Sequence, residues 1–205
     1  KTITFDFKAC TDGDGNNYTI VKIGSQFWMA ENLATTKNRY GKDIPLVTSN
    51  TEWASLSTGA YCWYDNDEAK YKDTYGALYN WYIVYSTALC PSGWHVPTDN
   101  EWTTLVDYLG GKDVAAGKIK EAGYTHWQSP NIGATNESGF TALPGGHRRD
   151  YNGIFTDITR YAPWWSISEE NTTHAWARST FYNQASLNRY THPKEYGYSV
   201  RCVRK

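Results

Sequence analysis

The chain has 205 residues, and its 20 Lys and Arg against 21 Asp and Glu leave a net charge of −1. This balance gives no electrostatic basis for binding nucleic acid or acidic lipid. No apolar run approaches the roughly 20 residues needed to cross a bilayer, so membrane insertion is not expected either. The length suits one domain, residues 1–205, with a sizeable core.

The N-terminal part is predicted to form short strands. Residues 3–7 alternate apolar and polar side chains, and residues 18–23 form a second strand-like run after a polar turn at 11–17. We expect these two runs to pair as a hairpin. A turn at 24–26 then leads into a third short strand at 27–29.

The polar turn also offers oxygen ligands in a pattern that resembles the start of an EF-hand. Asp12, Asp14 and Asn16 stand at alternate positions. The pattern then fails, because Asn17 stands where the loop needs glycine and Ile23 where it needs a bidentate glutamate. We therefore expect a polar turn and no metal site.

Two helices are predicted near the centre of the chain. The first runs from about Thr74 to Ser86 and has large side chains at helical spacing, namely Leu78, Trp81, Tyr82 and Tyr85. The second begins at Thr98, because Glu101 stands three residues later and completes a capping box. One apolar stripe follows, formed by Trp102, Leu105, Val106 and Leu109.

Short strands and long polar loops are predicted after Gly111. Two central helices followed by strands indicate a mixed α+β domain. The last residues, 195–205, are predicted to contain the final strand, and we expect the two ends of the chain to lie together.

The four cysteines, Cys10, Cys62, Cys90 and Cys202, show neither a CxxC motif nor a Cys/His spacing typical of zinc. We favour a disulfide between Cys90 and Cys202, because one precedes a helix and the other lies in the final strand. A Cys10–Cys62 bond is a weaker prediction, and four buried thiols are the alternative. The favoured bond implies an oxidising compartment.

Six ordered stretches resemble a known family, the Fibrobacter succinogenes major paralogous domain of surface and secreted proteins in Bacteroidetes and their relatives. The resemblance covers almost the whole chain. The stretches are DGDGNNYTIVKIGSQFWMAENL (12–33), GAYCWYDND (59–67), YGALYNWY (75–82), LCPSGWHVPTDNEW (89–102), NESGFTALPGG (136–146) and YGYSVRCVR (196–204).

A more distant similarity extends to formylglycine-generating enzymes, through HVPTDNEW (95–102) and YSVRCVR (198–204). It implies a C-type lectin-like fold, with two helices packed on a small, mostly antiparallel sheet, a long loop region and paired termini. The family resemblance also implies a location outside the cell or on the outer surface of a bacterium.

The resemblance does not imply catalysis. The formylglycine-generating reaction needs a reactive cysteine pair near the C-terminal part of the domain, where this chain has only Cys202. The sequence shows no Ser/His/Asp array, phosphate-binding loop or paired carboxylates. We therefore predict no catalytic residues and no cofactor.

Two segments are candidates for ligand binding. In the first, residues 147–151 follow a Leu-Pro-Gly-Gly turn and should lie in a loop, where their side chains could bind sugar hydroxyls or an acidic group. A solvated loop without function is the alternative. The candidates in this segment are His147, Arg148 and Tyr151.

The second segment, residues 164–190, is rich in the side chains that binding surfaces favour. The whole chain has ten Trp and seventeen Tyr, many of which should fill the core. In C-type lectin-like folds the segment before the final strand lies on the ligand-binding face. The candidates here are Trp176, Arg178, Tyr182, Asn183, Asn188 and Tyr190.

These observations predict a monomeric, non-catalytic domain that binds carbohydrate through an aromatic-rich surface before the last strand. The alternative is a protein-binding adhesion or receptor module that uses the same surface. The ligand is a glycan in the first case and a surface protein in the second.

Overall fold

The computed structural model describes residues 10–204, so the strand predicted at 3–7 lies outside the described residues. The described part is a small α+β domain with short helices and several small, mainly antiparallel sheets. Its helices are α1 (Asn50–Trp53), α2 (Glu68–Tyr75), α3 (Trp81–Val84), α4 (Asp99–Tyr108) and α5 (Lys112–Ile119). Its strands are β1 (Ile20–Ile23), β2 (Gln26–Met29), β3 (Tyr61–Cys62), β4 (Leu78–Tyr79), β5 (Gly145–Arg148), β6 (Phe155–Ile158), β7 (Tyr161–Glu169), β8 (His174–Phe181), β9 (Asn188–Pro193) and β10 (Val203–Arg204).

The final strand pairs with the N-terminal part of the described chain. Strands β1, β2 and β10 form one antiparallel sheet, in which Val203 pairs with Trp28. Cys90 and Cys202 form the predicted disulfide beside this sheet. Cys10 and Cys62 are buried free thiols, so the weaker prediction of a bond between them is wrong.

Helix α4 begins as the sequence predicts. The Thr98 hydroxyl accepts a hydrogen bond from the Glu101 amide, and the Glu101 carboxylate accepts one from the Thr98 amide at 2.9 Å. His95 Nε2 lies 2.9 Å from the same carboxylate. Burial alone would raise the pKa of Glu101, but the hydrogen bonds from His95 and Thr98 outweigh burial and lower that pKa to about 2.

The helix predicted from Thr74 to Ser86 is wrong. Helix α2 ends at Tyr75, because Gly76 adopts a left-handed φ of 70°. Strand β4 follows and pairs with β3, and Asn80 then caps α3. The large side chains recur at a spacing that fits both a continuous helix and this strand–turn–helix sequence, so periodicity could not distinguish them.

The sheet β7–β8–β9 separates two parts of the core. Trp164 and Trp165 are adjacent in β7 and therefore point to opposite faces of this sheet. Trp164 packs against Trp102 of α4, with ring centroids 6.0 Å apart. Trp165 packs on the other face against Tyr198, at 4.7 Å. Both tryptophans are fully buried.

No helix in residues 10–204 is long and apolar enough to cross a membrane.

Candidate functional site

A cluster of aromatic and histidine side chains lies on the face of the β7–β9 sheet opposite α4. We call it the aromatic–histidine cluster. Strand β7 contributes Tyr161, β8 contributes Phe181, and the edge strand β9 contributes Tyr190 and His192. Its members are His147, Tyr161, Phe181, Tyr190, His192, Tyr196 and Tyr198.

Strand pairing explains how the sheet residues of the cluster meet. Tyr161 stands directly opposite Phe181, and their rings stack at 4.2 Å. Tyr190 and His192 stand two residues apart in β9 and therefore share a face. Their rings lie 6.2 Å apart.

The two histidines pack edge-on against tyrosine rings. The centroid of His147, from β5, lies 5.4 Å from that of Tyr161 and 5.9 Å from that of Tyr198. The His192 centroid lies 5.4 Å from that of Tyr198 and 5.3 Å from that of Tyr196. Such edge-to-face contacts are favourable for rings with a negative face and a positive edge.

The cluster has a buried part and an exposed part. His147, Tyr161 and Tyr198 are buried, whereas Tyr190 is 50% exposed and Phe181 36% exposed. Exposed rings supported by buried neighbours keep a fixed orientation, since each tyrosine or phenylalanine has only two side-chain torsions to immobilise. The exposed part is therefore suited to stacking against a flat ligand surface.

Three polar atoms at the cluster are shielded from solvent and have no hydrogen-bond partner among the described residues. They are His147 Nδ1, His192 Nε2 and Asp150 Oδ1. Asp157 Oδ2 lies 3.9 Å from His147 Nδ1, which is too far for a hydrogen bond. Buried polar atoms in native proteins are rarely left unpaired, so these three atoms are candidates for hydrogen bonds with a water or a ligand.

Burial keeps both imidazoles neutral. It lowers the pKa of His147 to about 4, although Asp157 partly opposes this shift. It also lowers the pKa of His192, against the opposing effect of Asp150. Burial, followed by the charge of Asp150, raises the pKa of Tyr196 to about 12. The cluster is therefore uncharged at neutral pH apart from the adjacent carboxylates and arginines.

The neutral state of His147 makes stability depend on pH. The unfolded chain binds a proton at this residue below pH 6.5, whereas the folded chain binds it only near pH 4, so stability is lost as pH falls between these values. When the pH falls from about 7 to about 4.5, we expect the free energy of unfolding of His147→Phe to drop by about 2 kcal/mol less than that of the wild type. Urea unfolding of both proteins at the two pH values measures this, and parallel losses would contradict it.

The structure brings several of the predicted ligand residues to this cluster. His147 and Tyr190 are members of it. Asn188 stands on the same face of β9, two residues before Tyr190. Tyr151 lies in the turn after β5, is 64% exposed, and accepts a hydrogen bond from Arg149.

Trp176 and Arg178 lie on the other face of the sheet, because they occupy the alternate positions of β8. Arg178 is buried and donates to Asp99 Oδ1 and Thr103 Oγ1 of α4, both at 2.9 Å. The Arg189 guanidinium lies 3.2 Å from the centroid of the Trp176 ring and bonds the same Asp99. These contacts join α4 to the sheet.

The sequence suggested that Arg148 lies in an exposed loop, but the structure shows that this prediction is wrong. Arg148 ends strand β5 and is fully buried. Its guanidinium donates to the carbonyl oxygens of Val47 at 2.6 Å, Thr48 at 2.9 Å and Gly153 at 2.8 Å. A buried arginine with these partners stabilises the fold and is not accessible to a ligand.

Tyr182 and Asn183 follow the end of β8 and lie outside the cluster. The Arg160 guanidinium covers the Tyr182 ring at 5.4 Å. Asn183 is exposed in the turn between β8 and β9.

Sequence reasoning missed Tyr161, Phe181, His192, Tyr196 and Tyr198 as members of the cluster. A signal for His192 was present, because Asn188, Tyr190 and His192 alternate with period two in a strand-like run. The others come from separate parts of the chain that only tertiary packing unites.

A separate groove of about 500 Å³ lies beside the start of α4 and is lined by polar residues including Gln26, His95, Asn100 and Glu101. The Glu101 carboxylate already accepts hydrogen bonds from Thr98 and contacts His95. The groove is therefore a weaker candidate than the cluster. In residues 10–204 no group of three or more His, Cys, Asp or Glu side chains is arranged to hold a metal ion.

Comparison with known proteins identifies the family. No curated protein and no solved structure matches the chain significantly. The family model described as the Fibrobacter succinogenes major domain matches residues 21–204. Since that match covers most of the chain, this protein belongs to the Fibrobacter succinogenes major domain family.

Proposed function

We propose that this protein is a non-catalytic glycan-binding domain, displayed outside the cell or on the bacterial surface, and that the aromatic–histidine cluster is its binding site. One observation carries the proposal: the exposed rings of Tyr190 and Phe181 belong to a cluster that also contains shielded polar atoms with no hydrogen-bond partner in residues 10–204. A sugar ring has an apolar C–H face that can stack on an aromatic ring, and hydroxyls that can bind the polar atoms.

Further features support this proposal. The disulfide between Cys90 and Cys202 favours an oxidising compartment. The pairing of β10 with β2 and the position of Phe181, Tyr190 and His192 in strands before β10 are consistent with the C-type lectin-like arrangement that we propose for the fold. We propose a monomer that needs no cofactor for binding.

The test compares two exposed tyrosines. Tyr190→Ala removes an exposed ring of the cluster, whereas Tyr124→Ala removes a ring that is 65% exposed in a loop elsewhere. For a polysaccharide that the wild type binds, we expect Tyr190→Ala to weaken binding about tenfold or more and Tyr124→Ala to leave it unchanged. Affinity electrophoresis against a panel of plant, algal and host polysaccharides, followed by calorimetry on those that bind, measures the effect.

Trp176→Ala distinguishes the two faces of the sheet. The proposal expects normal binding by this variant, since Trp176 lies on the α4 side beneath Arg189. Loss of binding by Trp176→Ala but not by Tyr190→Ala would move the site to the other face.

A protein ligand is the second candidate function. Strand β9 is at the edge of its sheet and carries the exposed Tyr190, so a partner strand could pair with it. If no polysaccharide in the panel binds, this function replaces the first.

A further inference from the structure

The charges around the aromatic–histidine cluster define the class of glycan that it suits. Asp150 Oδ1 is shielded and has no hydrogen bond in residues 10–204, although the Tyr196 hydroxyl interacts with the same carboxylate. Asp157 lies beside His147. A carboxylate only accepts hydrogen bonds, so the Asp150 oxygen requires a donor. Sugar hydroxyls are donors, whereas uronate and sulfate oxygens are not at neutral pH.

Four cations lie in or next to the segments that form the cluster, and each has a contact among the described residues. Arg189 and Lys194, in or just after β9, are paired with Asp99 and Glu169. Arg149 donates to the Tyr151 hydroxyl, and Arg160 lies 4.0 Å from Asp157. An anionic ligand would meet the carboxylate oxygen of Asp150, which has no hydrogen-bond partner in residues 10–204, and the nearby carboxylate of Asp157.

The hydrogen-bonding atoms of the two histidines also suit an uncharged ligand. Among the described residues, His147 Nδ1 and His192 Nε2 have no hydrogen-bond partner, and neither has Asp150 Oδ1. A neutral imidazole offers one donor and one acceptor, which matches the dual character of a hydroxyl. Burial lowers the pKa of both rings, so neither supplies the positive charge that an acidic glycan would require.

We infer that the cluster recognises uncharged polysaccharides, whose hydroxyls donate to Asp150 directly or through one bridging water, and that it discriminates against uronate and sulfate groups. The inference rests on the proposed glycan-binding function. The bridging water is included because the three unpaired atoms are shielded from bulk solvent, and a water between ligand and protein can replace a direct hydrogen bond.

The experiment uses pairs of polysaccharides that share a backbone and differ in charge. These are dextran and dextran sulfate, hydroxyethyl cellulose and carboxymethyl cellulose, and methyl-esterified and de-esterified homogalacturonan. In each pair of which the wild type binds a member, we expect it to bind the neutral polysaccharide about tenfold more tightly than the charged one. A tenfold difference in affinity corresponds to about one charge-assisted hydrogen bond. Calorimetry at fixed ionic strength removes differences in screening.

Asp150→Asn tests the residue that carries the inference. The amide keeps the shape but removes the negative charge, so we expect the preference for the neutral member to fall several-fold. Asp73→Asn is the control, because Asp73 is an exposed carboxylate in α2, outside the cluster. It should leave the preference unchanged.

The outcomes separate this inference from the proposed function. Equal or tighter binding of the charged members, or an unchanged preference in Asp150→Asn, would overturn the inference while leaving glycan binding in place. Failure to bind any of the six polymers would also overturn it. Glycan binding itself is then decided by the wider panel and the Tyr190→Ala comparison.

Discussion

Replacement of both Cys90 and Cys202 by alanine is expected to lower the free energy of unfolding by about 4–5 kcal/mol. The bond joins residues 112 positions apart, so its loss restores to the unfolded chain the entropy of a very long loop. It also frees the segment before α4 from the strand that pairs with β2. Urea unfolding of the oxidised wild type and the double variant measures the difference.

The matched control replaces Cys10 and Cys62, which are buried and unbonded. This variant loses two small apolar side chains but no crosslink, so it should lose less stability than the first. Adding a reductant should then destabilise the control variant and the wild type by the same amount. If reductant left the wild type unchanged, the disulfide would contribute nothing to stability.

Replacement of Arg201 by methionine is expected to lower the free energy of unfolding by about 3–5 kcal/mol, because several buried acceptors lose their donor at once. Arg201 is 1% exposed. Its guanidinium donates to Asn32 Oδ1 at 2.9 Å and to the carbonyl oxygens of Met29, Phe140 and Thr141. Methionine retains much of the length of the side chain but none of these bonds.

Arg204 provides the control for Arg201. It lies three residues later and is partly exposed, and its guanidinium covers the rings of Phe27 and Trp94 at 5.2 Å and 5.1 Å. Arg204→Met should lower the free energy of unfolding by about 1 kcal/mol or less, because a cation–π contact at a site open to solvent usually contributes no more than that. Similar losses for the two variants would mean that the hydrogen bonds of Arg201 are not the cause.

Local sequence signals were sufficient where several of them agreed. Helix α4 has an N-cap at Thr98, a capping box with Glu101 and an apolar stripe, and the structure confirms all three. Periodicity alone was not sufficient between Thr74 and Ser86. There a left-handed Gly76 and the pairing of β4 with β3 interrupt the helix.

The position of Arg148 shows why the candidate site was only partly predictable. Residues after a Leu-Pro-Gly-Gly turn should lie in a loop, but Gly145–Arg148 pairs with β6 as a strand. The carbonyl oxygens of Val47 and Thr48, about one hundred residues away in sequence, then hold its guanidinium. No local sequence pattern could predict that carbonyl oxygens so far away in the chain would bind this guanidinium.

The sequence by itself determined the family, the α+β class, the disulfide between Cys90 and Cys202 and the aromatic-rich character of the segment before the last strand. Only the tertiary structure decided which of those aromatic residues face together. Side chains alternate between the two faces of a strand, so Trp176 and Arg178 contact α4 whereas Tyr190 and His192 join His147 on the opposite face. The face that each strand turns to α4 is set by strand register and helix packing, which depend on contacts far apart in the chain.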